Sequence, residues 1–291
     1  MFPGNLARQI KVQLSGIAVI SMLILLVNLM SCGSPASTST ASTPTVSTPV
    51  TVNNAKATLQ HTPTGNAQLT YNATAKTLVV SITMTGLAPN STHPTHIHQG
   101  SCAKPTKNIL YSLNNVIVNG VGQGSSTITL HNITSGIPAT GWFINVHNGP
   151  TMQAAAQSAS IACGTINNPN KATTVTTMMG PSTDVNENAT GRATLTLANG
   201  TMTVNLYAQG LAPNSSHAAH IHAGSCNAAG GVLYNMSPLV ANAQGVAQKT
   251  ISFKGVKGIP TSGWVINIHN TTDLSTQTGY NPILCGNVVP A

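Results

Sequence analysis

The chain has 291 residues, enough for about two domains of ordinary size. Charged residues are 5% of it and apolar residues 41%, against ~25% charged in a typical soluble protein. That balance excludes a charge-patterned disordered chain, a coiled coil and a polytopic membrane protein. The net charge of +8 reflects only three acids. Without Arg8 and Lys11, nine bases face three acids and the remainder is +6, scattered without a run. No basic patch for a nucleic acid is present.

From the N-terminus, Arg8 and Lys11 precede an apolar run from Gly16 to Met30, the charged and hydrophobic regions of a secretory signal. At about 15 residues the run is short for a membrane span of ~20. It ends in Leu29-Met30-Ser31-Cys32-Gly33, which resembles the lipobox of bacterial lipoproteins. The resemblance implies cleavage before Cys32 and a diacylglycerol on its thiol. Residues 1–32 are therefore expected to be a lipoprotein signal. The mature protein is then exported and anchored by lipid to the outer face of a bacterial membrane. An uncleaved signal anchor is the alternative. Residues 33–53 are Ser, Thr, Pro and Ala with scattered Val and read as a flexible tether. An odd cysteine in an exported protein needs a role. Lipidation of Cys32 supplies one and leaves four of the five cysteines.

Beyond the tether the chain repeats itself. Gly86-Leu87-Ala88-Pro89-Asn90-Ser91, followed by His93, His96-Ile97-His98 and Cys102, recurs 124 residues later. The second copy is Gly210-Leu211-Ala212-Pro213-Asn214-Ser215 with His217, His220-Ile221-His222 and Cys226. Gly141-Trp142 to His147-Asn148 recurs 122 residues on as Gly263-Trp264 to His269-Asn270. The boundary falls near Asn167 to Lys171, giving domains at 54–168 and 172–290. Thr77 to Thr85 alternates, with Leu78, Val80, Ile82 and Met84 on one face. Thr194 to Tyr207 holds two similar runs around the hairpin dipeptide Asn199-Gly200. Short strands are also expected at Ser126–Leu130, His96–His98 and Trp142–His147, and no amphipathic helix. The class is all-β: two tandem antiparallel sandwiches.

Eight of ten histidines lie in the repeated segments. His96 and His98 are two apart, so on a strand both point to one face and Ile97 to the other. On the later strand Trp142, Ile144 and Val146 share the core face, and His147 shares the other with Phe143 and Asn145. If the strands are neighbours, three imidazoles converge on an outward metal site; the same parity holds for His220, His222 and His269. Three neutral imidazoles suit Cu(II) or Zn(II), and the divalent affinity order favours copper. Surface histidine without metal is the plain alternative. His61 and His131 lack counterparts and are expected to be solvated. In an exported chain, Cys102 with Cys163 and Cys226 with Cys285 are expected to form disulfides, thiolate metal ligation being the alternative. Trp142 and Trp264 read as core rather than sugar-binding.

The run Gly-Leu-Ala-Pro-Asn-Ser, His-x-x-His-Ile-His, a later Val-His and Ala-Cys-Gly-Thr-Ile resembles copper-zinc superoxide dismutase and the CHRD domain. The length of each copy and the lack of a long metal loop fit the CHRD pattern better. The resemblance covers both copies and implies Greek-key sandwiches. It implies copper ligands at His96, His98 and His147 and at His220, His222 and His269. His93 and His217 match a histidine that supports the site through the backbone, and Cys102–Cys163 matches the dismutase disulfide. The departures bear on activity. Between Cys102 and His147 only His131 is available and no acid, so the bridging histidine and zinc ligands are missing. Ser160 and Pro282 stand where the dismutase has an anion-guiding arginine. Zinc is disfavoured, and efficient dismutation lacks residues for anion steering and proton delivery.

With three acids, none shared by the repeats, paired-carboxylate glycosidase chemistry is close to excluded. No Ser/His/Asp set occurs in both copies, and nucleophile-elbow and phosphate-loop patterns are absent. The leading reading is a lipid-anchored protein with two copper-type sites, whose partners are the membrane and the metal. Its rivals are a copper-only superoxide dismutase and a structural or adhesive surface module. The scarcity of carboxylates also predicts little acid denaturation.

Overall fold

The computed structural model describes residues 50–291. The lipobox, Cys32 and all but the end of the expected tether lie outside them. At that end Thr51–Val52 pairs with Ile259–Pro260, so the last tether residues are built into a sheet. Among the described residues no helix is long and apolar enough to cross a membrane.

Among the described residues the fold is all-β, with two four-residue helices. The longer strands, in chain order, are β1 Asn54–His61, β2 Thr64–Asn72, β3 Thr77–Thr85, β4 Thr95–Ser101, β5 Lys104–Ser112, β6 Gly124–Leu130, β7 Trp142–His147 and β8 Ser160–Ile166. They continue as β9 Thr174–Met179, β10 Thr190–Ala198, β11 Thr201–Gln209, β12 Ala219–Ser225, β13 Ala228–Asn235, β14 Ala247–Lys254, β15 Trp264–His269 and β16 Pro282–Asn287. The helices are α1 Ala155–Ser158 and α2 Gln277–Tyr280.

Alternation builds the sandwiches as expected. Leu78, Val80, Ile82 and Met84 on β3 are all at most 1% exposed. They face Ile97 of β4 and Ile144 and Val146 of β7 across the first core. That core lies between a sheet of order β8-β7-β4-β5 and one whose long strands run β9-β2-β3-β6. The second core gathers Leu195, Val204, Leu206, Ile221, Ile266 and Ile268. Asn199 and Gly200 both take positive φ, 50° and 71°, and join β10 to β11 by the turn their sequence suggests. Trp142 and Trp264 are half-buried against the two cores.

The two sandwiches exchange their first strands. β1 leaves the first repeat and pairs with β10 and β16 of the second. Its alternate residues Ala55, Ala57 and Leu59 are part of the second core. Reciprocally, β9 pairs with β2 of the first repeat and reaches β8 through the Cys163–Gly180 bridge. Val175 and Met179 of β9 belong to the first core. The link between β1 and β2 is Thr62-Pro63. The commonest two-residue hairpin turn, type I′, needs positive φ at both central residues, which Pro63 cannot supply, so the link disfavours a tight return of β1 onto β2. A cut between residues 168 and 172 would part each sandwich from one of its own strands.

Cys102–Cys163 and Cys226–Cys285 are disulfides, with Cα atoms 5.8 and 5.7 Å apart. They suit an oxidising, extracellular setting. Each ties the end of a His-x-His strand to the strand after its loop-covered histidine, β8 in the first half and β16 in the second. With about 60 residues between partners, each bond contributes roughly 4 kcal/mol by constraining the unfolded chain. The urea midpoint is therefore expected to fall in Cys163→Ala and in Cys285→Ala. An unchanged midpoint in both variants would mean that the crosslinks add nothing to stability.

Candidate metal centres

The histidine strands are neighbours in both sandwiches. β4 and β7 pair so that His96 stands opposite Asn145 and His98 opposite Phe143. β12 and β15 place His220 opposite Asn267 and His222 opposite Val265. His147 and His269 sit where β7 and β15 shift register against the following strand, a bulge that re-aims a side chain. In the first triad the ring centroids are 5.6 Å apart for His96–His98, 5.2 Å for His96–His147 and 6.0 Å for His98–His147. The second triad repeats this at 5.5, 5.3 and 6.0 Å. In each, three ligand atoms lie within 4.8 Å of one another. Among the described residues these are the two such groups of His, Cys, Asp or Glu.

Backbone carbonyls, which carry no signal in a side-chain pattern, orient the rings. His147 Nδ1 donates to the Ser158 carbonyl at 2.7 Å and His269 Nδ1 to that of Tyr280 at 2.5 Å. His222 Nδ1 donates to the Gly230 carbonyl at 2.9 Å. The opposite Nε2 of each is left with its lone pair free. His96 Nδ1, His98 Nε2 and His147 Nε2 are buried without a hydrogen-bond partner, as are His220 Nδ1, His222 Nε2 and His269 Nε2. Six convergent orphaned nitrogens are unusual in a native interior. A cation would satisfy three at a time, so the residues present fit a metal.

His93 and His217 hold the strand ends. His93 Nδ1 reaches the His147 carbonyl at 2.8 Å and its Nε2 the Ser91 hydroxyl at 2.8 Å. His217 repeats both bonds with His269 and Ser215, at 2.9 and 2.7 Å. Phe143 stacks on His98 with centroids 5.1 Å apart.

Two expectations need correction. The triads do not stand on an open surface, for five of the six imidazoles are buried. The loops that carry the Ser158 and Tyr280 carbonyls fold back over His147 and His269. Burial, with the neighbouring imidazoles second, pushes His96 and His220 down to about 4. Burial also lowers His98, His147 and His222. All are held neutral, the form that binds metal. His61 is also not solvated. Its side chain is 8% exposed, with Nδ1 3.4 Å from an oxygen of the equally buried Glu187. His131 is exposed, as expected.

The second half can now be placed. Residues 172–274 match the CHRD domain. No curated protein matches the chain. The matched stretch contains His217, the whole triad His220, His222 and His269, and Cys226. The CHRD match and the sheets around it agree on a β-sandwich module.

Proposed function

We propose that this is an exported, lipid-anchored protein that captures copper at two three-histidine centres, one in each half. The first half is read as a second, diverged CHRD-like copy, and both as members of the wider superoxide dismutase-like group. The observation that carries the reading is the twin triad, built with matching ring spacings and free nitrogens in both halves. Three neutral imidazoles without thiolate or carboxylate suit Cu(II), and copper bound there would supply Lewis acidity and one-electron chemistry. The anchor is supported by arithmetic. Four of five cysteines are paired, which leaves Cys32 for lipid.

Copper loading followed by elemental analysis tests the centres. Two coppers per chain are expected, one in His96→Ala, one in His220→Ala and none in the double variant. No copper on the folded native chain would leave a structural or adhesive module. Dismutase activity is not part of the reading, because no guiding arginine or bridging histidine is present. A superoxide assay on loaded protein is expected to show no more than the rate of free copper.

A further inference from the structure

The two centres have matching ligands but different surroundings. Beside the first triad lies a cavity of about 420 Å³, lined in part by His98, His147, Phe143, Ile109, Met152 and Lys107. That is the size of a small-molecule site. Beside His222 and His269 the space is only about 30 Å³, room for a water or two.

The difference traces to a few residues. The loops after His147 and His269 have the same length. At the position whose carbonyl holds the histidine, one has Ser158 and the other Tyr280. The Tyr280 ring lies 5.0 Å from that of His269. Tyr280 lines the small space together with Leu87, Pro89 and Val121 of the first half. The second loop is held under the first half by its own side chains. Gln277 Nε2 donates to the carbonyls of Thr92 and Asn148 at 2.8 and 2.9 Å. Asn281 accepts from the Ala88 amide at 3.0 Å and donates to the Asn148 carbonyl at 3.0 Å. The corresponding residues of the first loop are Ala155 and Ala159, which have no polar side chain to dock anything. The first cavity is thus uncovered, and Ile109 and Met152 at its rim are 43% and 38% exposed.

We propose, resting on the copper reading above, that the centres are functionally unequal. The first admits a small organic anion with an apolar body, its oxygen donor on the metal. The second is closed to anything larger than water. Phe143, Ile109 and Met152 form the apolar wall. Lys107 supplies a cation that the second site lacks, since its counterpart by the 124-residue offset is Gly231; Asp184 also lines the cavity, one of its oxygens held by the Ser160 amide at 2.5 Å.

The test uses full chains carrying one centre each, with benzoate as the probe and the Cu(II) EPR and visible spectra as readouts. His220→Ala keeps the first centre and His96→Ala the second. Copper is counted first, and a count of zero in both overturns the metal reading itself. With one copper in each, benzoate is expected to shift the spectra of His220→Ala saturably and leave His96→Ala unchanged. Lys107→Gln in the His220→Ala background is expected to weaken benzoate about fivefold, as for one exposed ion pair. Tyr280→Ser in the His96→Ala background is expected to make the second centre responsive. A shift in both single-centre proteins, or in neither, overturns the inequality and leaves copper binding standing.

Discussion

Leu59→Ala is expected to destabilise the second sandwich by about 3 kcal/mol, although Leu59 belongs by sequence to the first repeat. The side chain is fully buried, among residues of the second core, and its loss leaves a cavity between β10 and β16. Met179→Ala should do the converse, since Met179 is 1% exposed and packs in the first core. Hydrogen exchange reads both effects. Leu59→Ala should speed exchange in β10 and β16 and spare β2 and β3; Met179→Ala should reverse the pattern. A fragment of residues 172–291 lacks β1, so two ladders lose their shared strand at once. It should stay unfolded as a monomer until a peptide of residues 50–61 is added. Folding of that fragment alone, or loss of protection confined to β2 in Leu59→Ala, would show that the exchange does not exist in solution.

Much of this architecture was legible. The alternation in β3, the Asn199-Gly200 turn and the parity of His96, His98 and His147 are local, and local rules fix which face a side chain takes. The destination of β1 was not legible. Alternation gives the face of a strand but not its neighbour, and Thr62-Pro63 only disfavours the commonest two-residue turn there. The triads were legible as residues but not as buried groups, because the loops over them act through the Ser158 and Tyr280 carbonyls. His61 was misread as solvated because its repeat partner is missing; its buried neighbour Glu187 has no counterpart in the first repeat either.

Acid should unfold the metal-free protein, contrary to what its few carboxylates suggest, because buried histidines take their place. His61, His93 and His269 are enclosed, and burial pushes each from an ordinary 6.5 down to about 4. The unfolded chain takes up these protons below 6.5 and the folded chain does not until about 4. Their stabilising contribution is therefore full above 6.5 and lost as pH falls through that window. Each proton is worth about 1.4 kcal/mol per pH unit there. Glu187 acts in the opposite sense. Burial raises it well above its ordinary 4.5, so its contribution is present below 4.5 and lost as pH rises. While it stays protonated in the folded chain it offsets one histidine, and the buried histidines outnumber it, so stability falls overall as pH drops from 6.5 toward 4. Urea midpoints measured from pH 7 to pH 4 should fall along this limb. Glu187→Gln removes the opposing group and should steepen it, whereas His61→Gln should flatten it. Superimposable pH profiles for the three proteins would rule out the buried pair as a titrating element. Copper bound to the triads would hold His269 neutral against protonation, so loading should move the acid limb to lower pH while the differences at His61 and Glu187 persist.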